Sequence, residues 1–438
     1  MKTAAIIGGG VIGGGWLARF LLNGWDVRLY DPDPACVRKI EAVLENARHA
    51  LPMLYDFALP DEGRLTVCAT LVEAVAGADW IQESVPERLD VKHAIFADIQ
   101  AYCSAQAIIG SSTSGFKPSE LQQNSQNSQQ IIVTHPFNPV YLLPLIELVP
   151  SPVNSEALIA RAQDLLRSVG LYPLRVRKEI DAHIADRFLE AVWREGLWLI
   201  KDGIATTEEI DDAIRYGFGL RWAQMGLFET YRIAGGEAGM AHFIAQFGPC
   251  LKWPWTKLMD VPELTEELTD KIAAQSDAQS GDKSIRELER LRDNNLIVML
   301  RALKQQNSAA GALLYQHEAG LRPTLDTNGP MVTVRRHVPV DWTDYNGHMN
   351  EGRYGQVFSD AADAVMVHVG ADAAYIKAGK SYFTVETAVK YLQETHAGSV
   401  VEVHSKVTVG AGKKLGLFHE MRRLDGTVLA TCDQLMIH

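Results

Sequence analysis

The stretch Ala4-Ala5-Ile6-Ile7-Gly8-Gly9-Gly10-Val11-Ile12-Gly13 decides the fold of the first part of the chain. Its apolar start predicts a buried strand, and its glycines form the pattern G-x-G-x-x-G directly before a helical stretch. The first glycine of this pattern permits a tight turn, the second lets a pyrophosphate approach the backbone, and the third lets helix and strand pack closely. The stretch therefore predicts a dinucleotide site with contacts at Gly8, Gly10, Val11, Ile12 and Gly13.

A second predicted strand, Val27 to Tyr30, selects the nucleotide. It ends at Asp31, 18 residues after Gly13, where a carboxylate can accept hydrogen bonds from both ribose hydroxyls. Because an acid at this place repels a 2′-phosphate, NAD is expected rather than NADP. Arg28 and Arg38 keep NADP open as an alternative.

Composition limits the classes of partner. The 438 residues suggest two to four domains, and 47% hydrophobic with 22% charged residues is typical of a globular enzyme. A net charge of −12 disfavours nucleic acid and anionic membranes. The five cysteines are scattered without a Cys-x-x-Cys pair, so we expect no disulfide framework and a cytoplasmic location. Without H-x-H or H-E-x-x-H spacing, no metal site is expected.

Three patterns follow one another along the chain. We expect an α/β Rossmann domain at 1–180, an all-α domain for substrate binding and dimerisation at 181–320, a linker at 321–330 and an α+β domain at 331–438. The first domain alternates strands with helices, which is typical of a parallel sheet. The last has a strand, a helix near 351–369 and four further strands near 382–392, 400–409, 414–423 and 428–437.

Over about its first 320 residues the chain resembles the 3-hydroxyacyl-CoA dehydrogenase superfamily. The matching motifs, in the family's order and spacing, are the glycine pattern with Asp31, Val85 to Lys92, Ser111 to Gly115, His135 to Pro139, and Leu145 to Glu147. The resemblance implies that Ser114, His135 and Glu147 are catalytic. It also implies that Glu87 and Lys92 lie near the nicotinamide ribose.

The chemistry accounts for these residue types. Oxidation of a secondary alcohol needs a base for the hydroxyl proton, and the imidazole of His135 can take and return a proton near neutrality. A carboxylate at Glu147 fixes the imidazole tautomer, and the Ser114 hydroxyl can hold the substrate oxygen. The alternative is structural: Ser114 caps a helix beginning near Pro118, and Glu147 lies on a solvated strand edge.

The sequence departs from the fatty-acyl branch of that superfamily in two places. Asp186 stands where that branch has a substrate-binding asparagine, and residues 33–63 hold six acids against three bases, which disfavours CoA phosphates there. An acid near the reaction site favours a small cationic substrate. So do the aromatic rings of the helical segment, since a quaternary ammonium binds well against indoles. These are Trp193, Trp198, Trp222, Trp253 and Trp255, of which the spacing of Trp193 and Trp198 is more typical of the core.

Two further motifs indicate which branch of the superfamily the chain resembles. The segment Gly219 to Gly226, which contains Trp222, and the Trp253-Pro254-Trp255 stretch resemble the carnitine dehydrogenase branch. Asn138 belongs to the His-Pro-x-Asn-Pro form, which the branch of lambda-crystallin and gulonate dehydrogenase shares. By resemblance, Asp186, Asn138 and Trp222 are expected to bind substrate.

The last part of the chain, from about 331, resembles hotdog-fold acyl-CoA thioesterases. The matching stretch runs from Asp341 to Tyr354. The resemblance implies that Asp344 activates water or attacks the thioester, and that His348 and Asn350 orient water or substrate. Alternatively, Asp344 is a turn residue, and Glu386 on the next strand is a further candidate acid.

The fusion is similar to bifunctional carnitine dehydrogenase and betainyl-CoA thioesterases, which implies NAD-dependent oxidation of L-carnitine together with hydrolysis of a betaine thioester. Carnitine and an acyl-CoA thioester are then the substrates, and a homodimer is expected because both parent folds associate. One alternative is a 3-hydroxyacyl-CoA or L-gulonate 3-dehydrogenase with an acyl-CoA thioesterase domain. A non-catalytic, crystallin-like or acyl-CoA-sensing protein is another.

Overall fold

A computed structural model describes residues 2–234, 239–249, 254, 256, 260, 263–280, 282–321, 325–326, 329–371 and 373–438. Its architecture confirms the three predicted fold classes in their predicted order: an α/β sheet, a helical region, and an antiparallel sheet with one long helix. None of the described helices is long and apolar enough to cross a membrane.

An eight-stranded sheet forms the first part, with strands in the order β3-β2-β1-β4-β5-β6-β7-β8. Its central strands are buried on both faces, which explains their nearly continuous apolar sequences. The strands are β1 (Thr3–Ile7), β2 (Asp26–Tyr30), β3 (Leu65–Val67), β4 (Trp80–Glu83), β5 (Ile108–Ser111), β6 (Ile131–Pro136), β7 (Leu145–Val149) and β8 (Tyr172–Arg175).

Helices cover both faces of this sheet and enclose two apolar clusters. One cluster includes Trp16 and Trp80, whose rings lie 6.4 Å apart between the first helix and the sheet. The helices are α1 (Val11–Leu22), α2 (Cys36–Ala50), α3 (Leu71–Val75), α4 (Leu89–Tyr102), α5 (Pro118–Leu121) and α6 (Glu156–Arg167).

The sheet is parallel, as the alternation of strands and helices predicts, except at one pair of strands. Strands β6 and β7 run antiparallel, with His135 opposite Glu147. The chain between them is too short for a crossover helix, which a parallel pair would need. This antiparallel turn therefore sets the two candidate catalytic residues side by side.

The second part is helical among its described residues. It contains α7 (Ala185–Lys201), α8 (Thr207–Ala213), a π-helical turn (Ile214–Phe218), α9 (Gly219–Ala234), α10 (Gly239–Phe247), α11 (Glu266–Ser280), α12 (Ile285–Gln305) and α13 (Ala309–Ala319). Trp193 lies on α7 with 62% of its side chain exposed, so the prediction that it belongs to the core is wrong. Trp253, Trp255 and much of the expected linker lie outside the described residues.

The third part is a five-stranded antiparallel sheet in the order β10-β13-β12-β11-β9. Helix α14 packs on it through Val357, Phe358 and Ala361. The elements are β9 (Met331–His337), α14 (Glu351–His368), α15 (Ala373–Lys377), β10 (Phe383–Tyr391), β11 (Val400–Ala411), β12 (Lys414–Arg423) and β13 (Val428–Ile437). Strand β10 lies at the edge and is exposed along almost its whole length.

Buried charges join the three parts. The Asp56 carboxylate, which follows the end of α2, accepts hydrogen bonds from Arg336 on β9 and from Arg301 and Lys304 on α12. Burial raises the pKa of Asp56, but the charges of Arg336, Lys304 and Arg301 outweigh it and hold the pKa below its ordinary value. A single carboxylate thus connects the nucleotide fold, the helical region and the last sheet.

Candidate active sites

The glycine turn at the end of β1 has the geometry of a phosphate-binding loop. Gly8 has φ of +103°, and a Cβ added at Gly13 would lie 1.9 Å from the Gly8 carbonyl oxygen, so both positions require glycine. A Cβ at Gly10, by contrast, would meet no atom within 4 Å. Gly10 caps α1, whose first helical residues are Val11 and Ile12. The open face at Gly10 and the helix N-terminus therefore suit a pyrophosphate.

Asp31 lies against this turn at the end of β2. Its Oδ2 accepts a hydrogen bond of 2.6 Å from the Gly9 N–H, and its Oδ1 accepts one of 2.8 Å from the Asp33 N–H. The carboxylate is thereby fixed beside the loop that would hold the phosphates. Each oxygen keeps a lone pair for a ribose hydroxyl, so the residues present suit an unphosphorylated adenosine ribose.

Glu87 and Lys92 form the predicted pair at the neighbouring strand end. The Lys92 ammonium is 1% exposed and lies 3.2 Å from Glu87 Oε2 and 2.8 Å from Glu83 Oε1. Glu87 also accepts hydrogen bonds from Thr113 Oγ1 and from the N–H groups of Ser114 and Gly115. Burial raises the pKa of Glu87, but the hydrogen bond from the Thr113 hydroxyl and the charge of Lys92 lower it by a larger amount. The pKa therefore lies below its ordinary value, and the carboxylate stays charged.

His135 and Glu147 form a buried hydrogen-bonded pair. The distance from His135 Nδ1 to Glu147 Oε2 is 2.9 Å, and the two side chains are 6% and 0% exposed. The other oxygen of Glu147 accepts hydrogen bonds from the N–H groups of Ile184 and Ala185, at the start of α7. Burial raises the pKa of Glu147, but these three hydrogen bonds, that of His135 foremost, lower it below its ordinary value. A charged Glu147 holds the His135 proton on Nδ1 and leaves Nε2 as the basic atom.

Asp186 faces that basic atom. Its Oδ2 lies 3.7 Å from His135 Nε2, and its side chain is 21% exposed on the first turn of α7. Burial raises the pKa of Asp186, and the neighbouring charge of Glu147 adds to the rise, although His135 opposes it. The resemblance predicts Asp186 near the reaction site, and the structure adds that it lies beside the imidazole.

His183 belongs to the same cluster, although no role was predicted for it. Its ring centroid lies 5.5 Å from that of His135, its side chain is buried, and its Nε2 lies 3.4 Å from the Thr113 carbonyl oxygen. Burial, and then the charge of His135, lower the pKa of His183. A neutral ring here links the start of α7 to the strand end that carries Ser114.

The remaining residues predicted for the dehydrogenase site are Ser114, Asn138 and Trp222. Ser114 is exposed in the loop after β5, the strand beside β6, so it shares the sheet edge with His135. Asn138 is exposed three residues after His135. The ring contact found for Trp222 is with Phe218, 4.6 Å away in the helical part, so its contact with substrate stays a prediction.

Asp344 lies in a tight loop between β9 and α14. Its Oδ1 accepts hydrogen bonds from the N–H groups of Asn346 and His348, at 2.8 and 3.3 Å, and its own N–H donates to the His348 carbonyl. Gly347 closes the loop with φ of +78°. Because both bonds to the carboxylate go to Oδ1, Oδ2 is the oxygen better placed for water.

Asn350 caps α14, and its side chain accepts a hydrogen bond of 2.9 Å from the Gly352 N–H. Together with Asp344 and His348 it lines a cavity of about 410 Å³ whose other wall is the end of β10 and the residues after it. Glu386 is exposed on β10 and is not among the residues that line this cavity. The cavity is open to solvent on the side of the exposed edge strand.

Family models match three successive stretches of the chain. The chain matches the family "3-hydroxyacyl-CoA dehydrogenase, NAD binding domain" over residues 3–180 and "3-hydroxyacyl-CoA dehydrogenase, C-terminal domain" over 183–272. Residues 338–438 match the thioesterase-like superfamily. The first match covers the eight-stranded sheet, the second covers the helices from α7 into α11, and the third begins after β9 and covers the rest of the antiparallel sheet.

Individual relatives cover one or both parts. A protein of Ruegeria pomeroyi named L-carnitine dehydrogenase/betainyl-CoA thioesterase is 64% identical over the whole of this chain and 91% of its own length. An L-carnitine dehydrogenase of Pseudomonas putida is 49% identical over 71% of this chain and 97% of its own. Among solved structures, an NAD⁺-dependent 5-formyl-3-hydroxy-2-methylpyridine 4-carboxylic acid 5-dehydrogenase matches 69% of this chain and 99% of its own, with 27% identity and a TM-score of 0.61.

Proposed function

This chain belongs to the family of L-carnitine dehydrogenase/betainyl-CoA thioesterases. We propose that the site at the first sheet carries out the dehydrogenase reaction and that the site at the last sheet carries out the thioesterase reaction. The enzyme oxidises L-carnitine to 3-dehydrocarnitine with NAD, and it hydrolyses betainyl-CoA to betaine and CoA. The observation that carries the first assignment is the buried His135–Glu147 pair with Asp186 3.7 Å from its free ring nitrogen.

NAD is the cofactor, as the glycine turn and Asp31 predict. When bound, it accepts the hydride from the carbinol carbon. His135 Nε2 takes the hydroxyl proton as that hydride leaves, and Glu147 stabilises the resulting imidazolium through Nδ1. Ser114 holds the substrate oxygen from the neighbouring strand end, while Glu87 and Lys92 contact the nicotinamide ribose.

Asp186 selects the substrate. A partly buried carboxylate beside the base attracts the trimethylammonium group of carnitine, because charges interact strongly where water is reduced. Asn138 contacts the carnitine carboxylate or hydroxyl from the exposed side. Trp222 supplies an aromatic face for the cation in this proposal.

In the last sheet, Asp344 acts on the thioester through Oδ2, either as base for a water molecule or as nucleophile. Helix α14 is 18 residues long, and the residues at its N-terminus, Asn350 and Glu351, line the same cavity. The positive end of this helix suits the developing negative charge on the thioester oxygen. His348 and Asn350 orient the thioester from the loop and the cap. Glu386 has no role in this arrangement.

The domain division that accompanies these sites is 1–180 for NAD binding, 181–320 for substrate binding and dimerisation, 321–330 for a linker and 331–438 for the thioesterase. A homodimer is supported by large exposed apolar side chains on the helical part, since a monomer rarely exposes so many together. They include Phe188, Trp193, Leu220, Phe228 and Ile244. A cytoplasmic location is supported by the described cysteines, Cys36, Cys68, Cys103 and Cys432, which are all free thiols.

The test is a pair of assays on the full chain. NADH absorbance is followed with L-carnitine, D-carnitine, L-gulonate or a short 3-hydroxyacyl-CoA, and thiol release is followed with betainyl-CoA. We expect NADH with L-carnitine and thiol release with betainyl-CoA. NADH formation with gulonate or the acyl-CoA alone would contradict the carnitine assignment, and silence with all four would favour a binding protein.

A further inference from the structure

Three metal-binding side chains converge beside the thioester cavity. His348, Glu394 and His396 each offer a ligand atom, and these atoms lie within 4.8 Å of one another. His348 and Glu394 also line the cavity that contains Asp344. The sequence spacing predicts no metal here, because His348 and His396 are 48 residues apart along the chain.

The backbone holds the two histidines together. His348 and His396 form an antiparallel bridge, and between their neighbours the Met349 N–H donates a 2.8 Å hydrogen bond to the Thr395 carbonyl. Thr395 is buried, which fixes this bridge to the core of the last sheet. The imidazole centroids are consequently 4.8 Å apart. Two such rings and a carboxylate are therefore placed by main-chain pairing rather than by side-chain rotamers alone.

The hydrogen bond of His396 leaves its Nε2 available as a ligand atom. His396 Nδ1 lies 3.2 Å from the Gly347 carbonyl oxygen, which can only accept, so the proton belongs on Nδ1 and the lone pair on Nε2. A ring proton given to a backbone carbonyl is the usual arrangement of a metal-binding histidine. His348 Nε2 lies 3.5 Å from Glu394 Oε2, close to the separation of about 3.4 Å between ligands of a tetrahedral zinc ion with bonds of about 2.0–2.1 Å.

We propose that His348, Glu394 and His396 form a binding site for a divalent cation of the zinc class beside the thioester cavity. Two imidazoles with one carboxylate suit zinc better than Mg²⁺ or Ca²⁺, which prefer oxygen ligands. Glu394 has a 62% exposed side chain, so its carboxylate is free to adjust its position relative to the two imidazoles. Three protein ligands leave a fourth position open, and the cavity wall formed by His348 and Glu394 gives water or a substrate access to it.

Zinc binding tests this directly and does not depend on thioesterase activity. The full chain is treated with a chelator, dialysed and titrated with ZnCl₂ against a fluorescent zinc indicator, with MgCl₂ titrated in parallel. We expect one zinc site per chain that is weakened at least tenfold by His396→Ala and by Glu394→Gln, both exposed positions, and no comparable site for Mg²⁺. Circular dichroism verifies that the variants are folded.

The matched control is His404→Ala. His404 Nε2 lies 3.4 Å from Glu402 Oε2 on β11, a similar histidine–carboxylate pair without the third donor. This variant should bind zinc as the wild type does. The proposal is overturned if the wild type binds zinc no better than His396→Ala, or if His404→Ala weakens binding equally.

Discussion

The two candidate sites differ in how completely one chain encloses them. His135 and Glu147 are buried on adjacent strands, and both Glu147 oxygens accept hydrogen bonds, one from the imidazole and the other from two backbone N–H groups. Asp344 lies half-exposed in a surface loop beside an open cavity. A buried pair is oriented before substrate arrives, whereas an open loop depends on what covers it. The His135–Glu147 pair is therefore enclosed within one chain, whereas the cavity beside Asp344 is open and lies next to the exposed edge strand.

That edge is β10, whose exposed side chains include Phe383, Val385 and Tyr391. An exposed apolar edge strand is a ready place for pairing with another chain. Thioesterase activity should accordingly be more sensitive to dilution of the protein than dehydrogenase activity.

Among the substitutions that leave the His135 imidazole in place, the largest effect is expected from Glu147→Gln. Loss of the charge that stabilises the His135 imidazolium should lower kcat for carnitine oxidation about 100-fold, as for removal of general acid–base assistance. Steady-state NADH formation measures this, with thiol release from betainyl-CoA as control. Equal loss of both activities would break the comparison.

The same substitution should alter stability with pH. The lowered pKa of Glu147 means that the folded state holds the carboxylate charged more strongly than the unfolded state does. Its contribution is therefore present above the unfolded pKa of about 4.3 and is lost as the pH falls through the folded value. Thermal unfolding of wild type and Glu147→Gln should differ at neutral pH and converge in acid; a constant difference would contradict this.

Asp186→Asn should chiefly affect substrate affinity. Without the carboxylate, KM for L-carnitine should rise about 10- to 100-fold with a smaller change in kcat, because a charge contact of roughly 1.4–2.7 kcal/mol is lost. The matched control is Glu190→Gln, one turn further along α7, where Glu190 pairs with Arg194. An unchanged KM for Asp186→Asn would remove Asp186 from substrate recognition.

Asp56→Asn tests the junction between the two sites. It leaves Arg301, Lys304 and Arg336 without their shared carboxylate, and we expect a loss of on the order of 2 kcal/mol in unfolding free energy, moderated because Asp56 is 34% exposed. Glu62→Gln breaks the exposed pair with Arg48 and should cost less than about 1 kcal/mol. Denaturant unfolding measures both, and equal losses would show that the junction charges matter no more than surface ones.

The smallest effect is expected from Gly10→Ala. Its Cβ meets no atom of the folded chain but occupies the open face of the glycine turn, so Kd for NADH should rise about tenfold with an unchanged Tm. Gly13→Ala, whose Cβ would collide with the Gly8 carbonyl, should lower Tm instead. Unaltered NADH titration for Gly10→Ala would place the cofactor elsewhere.

Much of this architecture was accessible from sequence because local patterns encode it. The strands β12 and β13 have the predicted bounds, and Asp31 contacts the glycine turn, as the motif requires. The antiparallel β7 was missed, since its apolar run resembles any buried strand and its direction depends on the short preceding turn.

What the sequence did not reveal depends on contacts between distant segments. The position of Asp186 beside His135 and the burial of His183 follow from the docking of α7 on the sheet. The convergence of His348 with Glu394 and His396 follows from a single bridge between loop and strand end. Trp193 has the helical spacing of a core residue, yet its side chain is 62% exposed.

We infer that one chain carries two independent chemistries at these two sites. The most direct test of this inference is a crossed measurement of NADH formation from L-carnitine and thiol release from betainyl-CoA on His135→Gln and Asp344→Asn. We predict that His135→Gln loses about 10²- to 10⁴-fold in the first activity only, and that Asp344→Asn loses the second only. Loss of both activities in either variant, or of neither, would contradict the account.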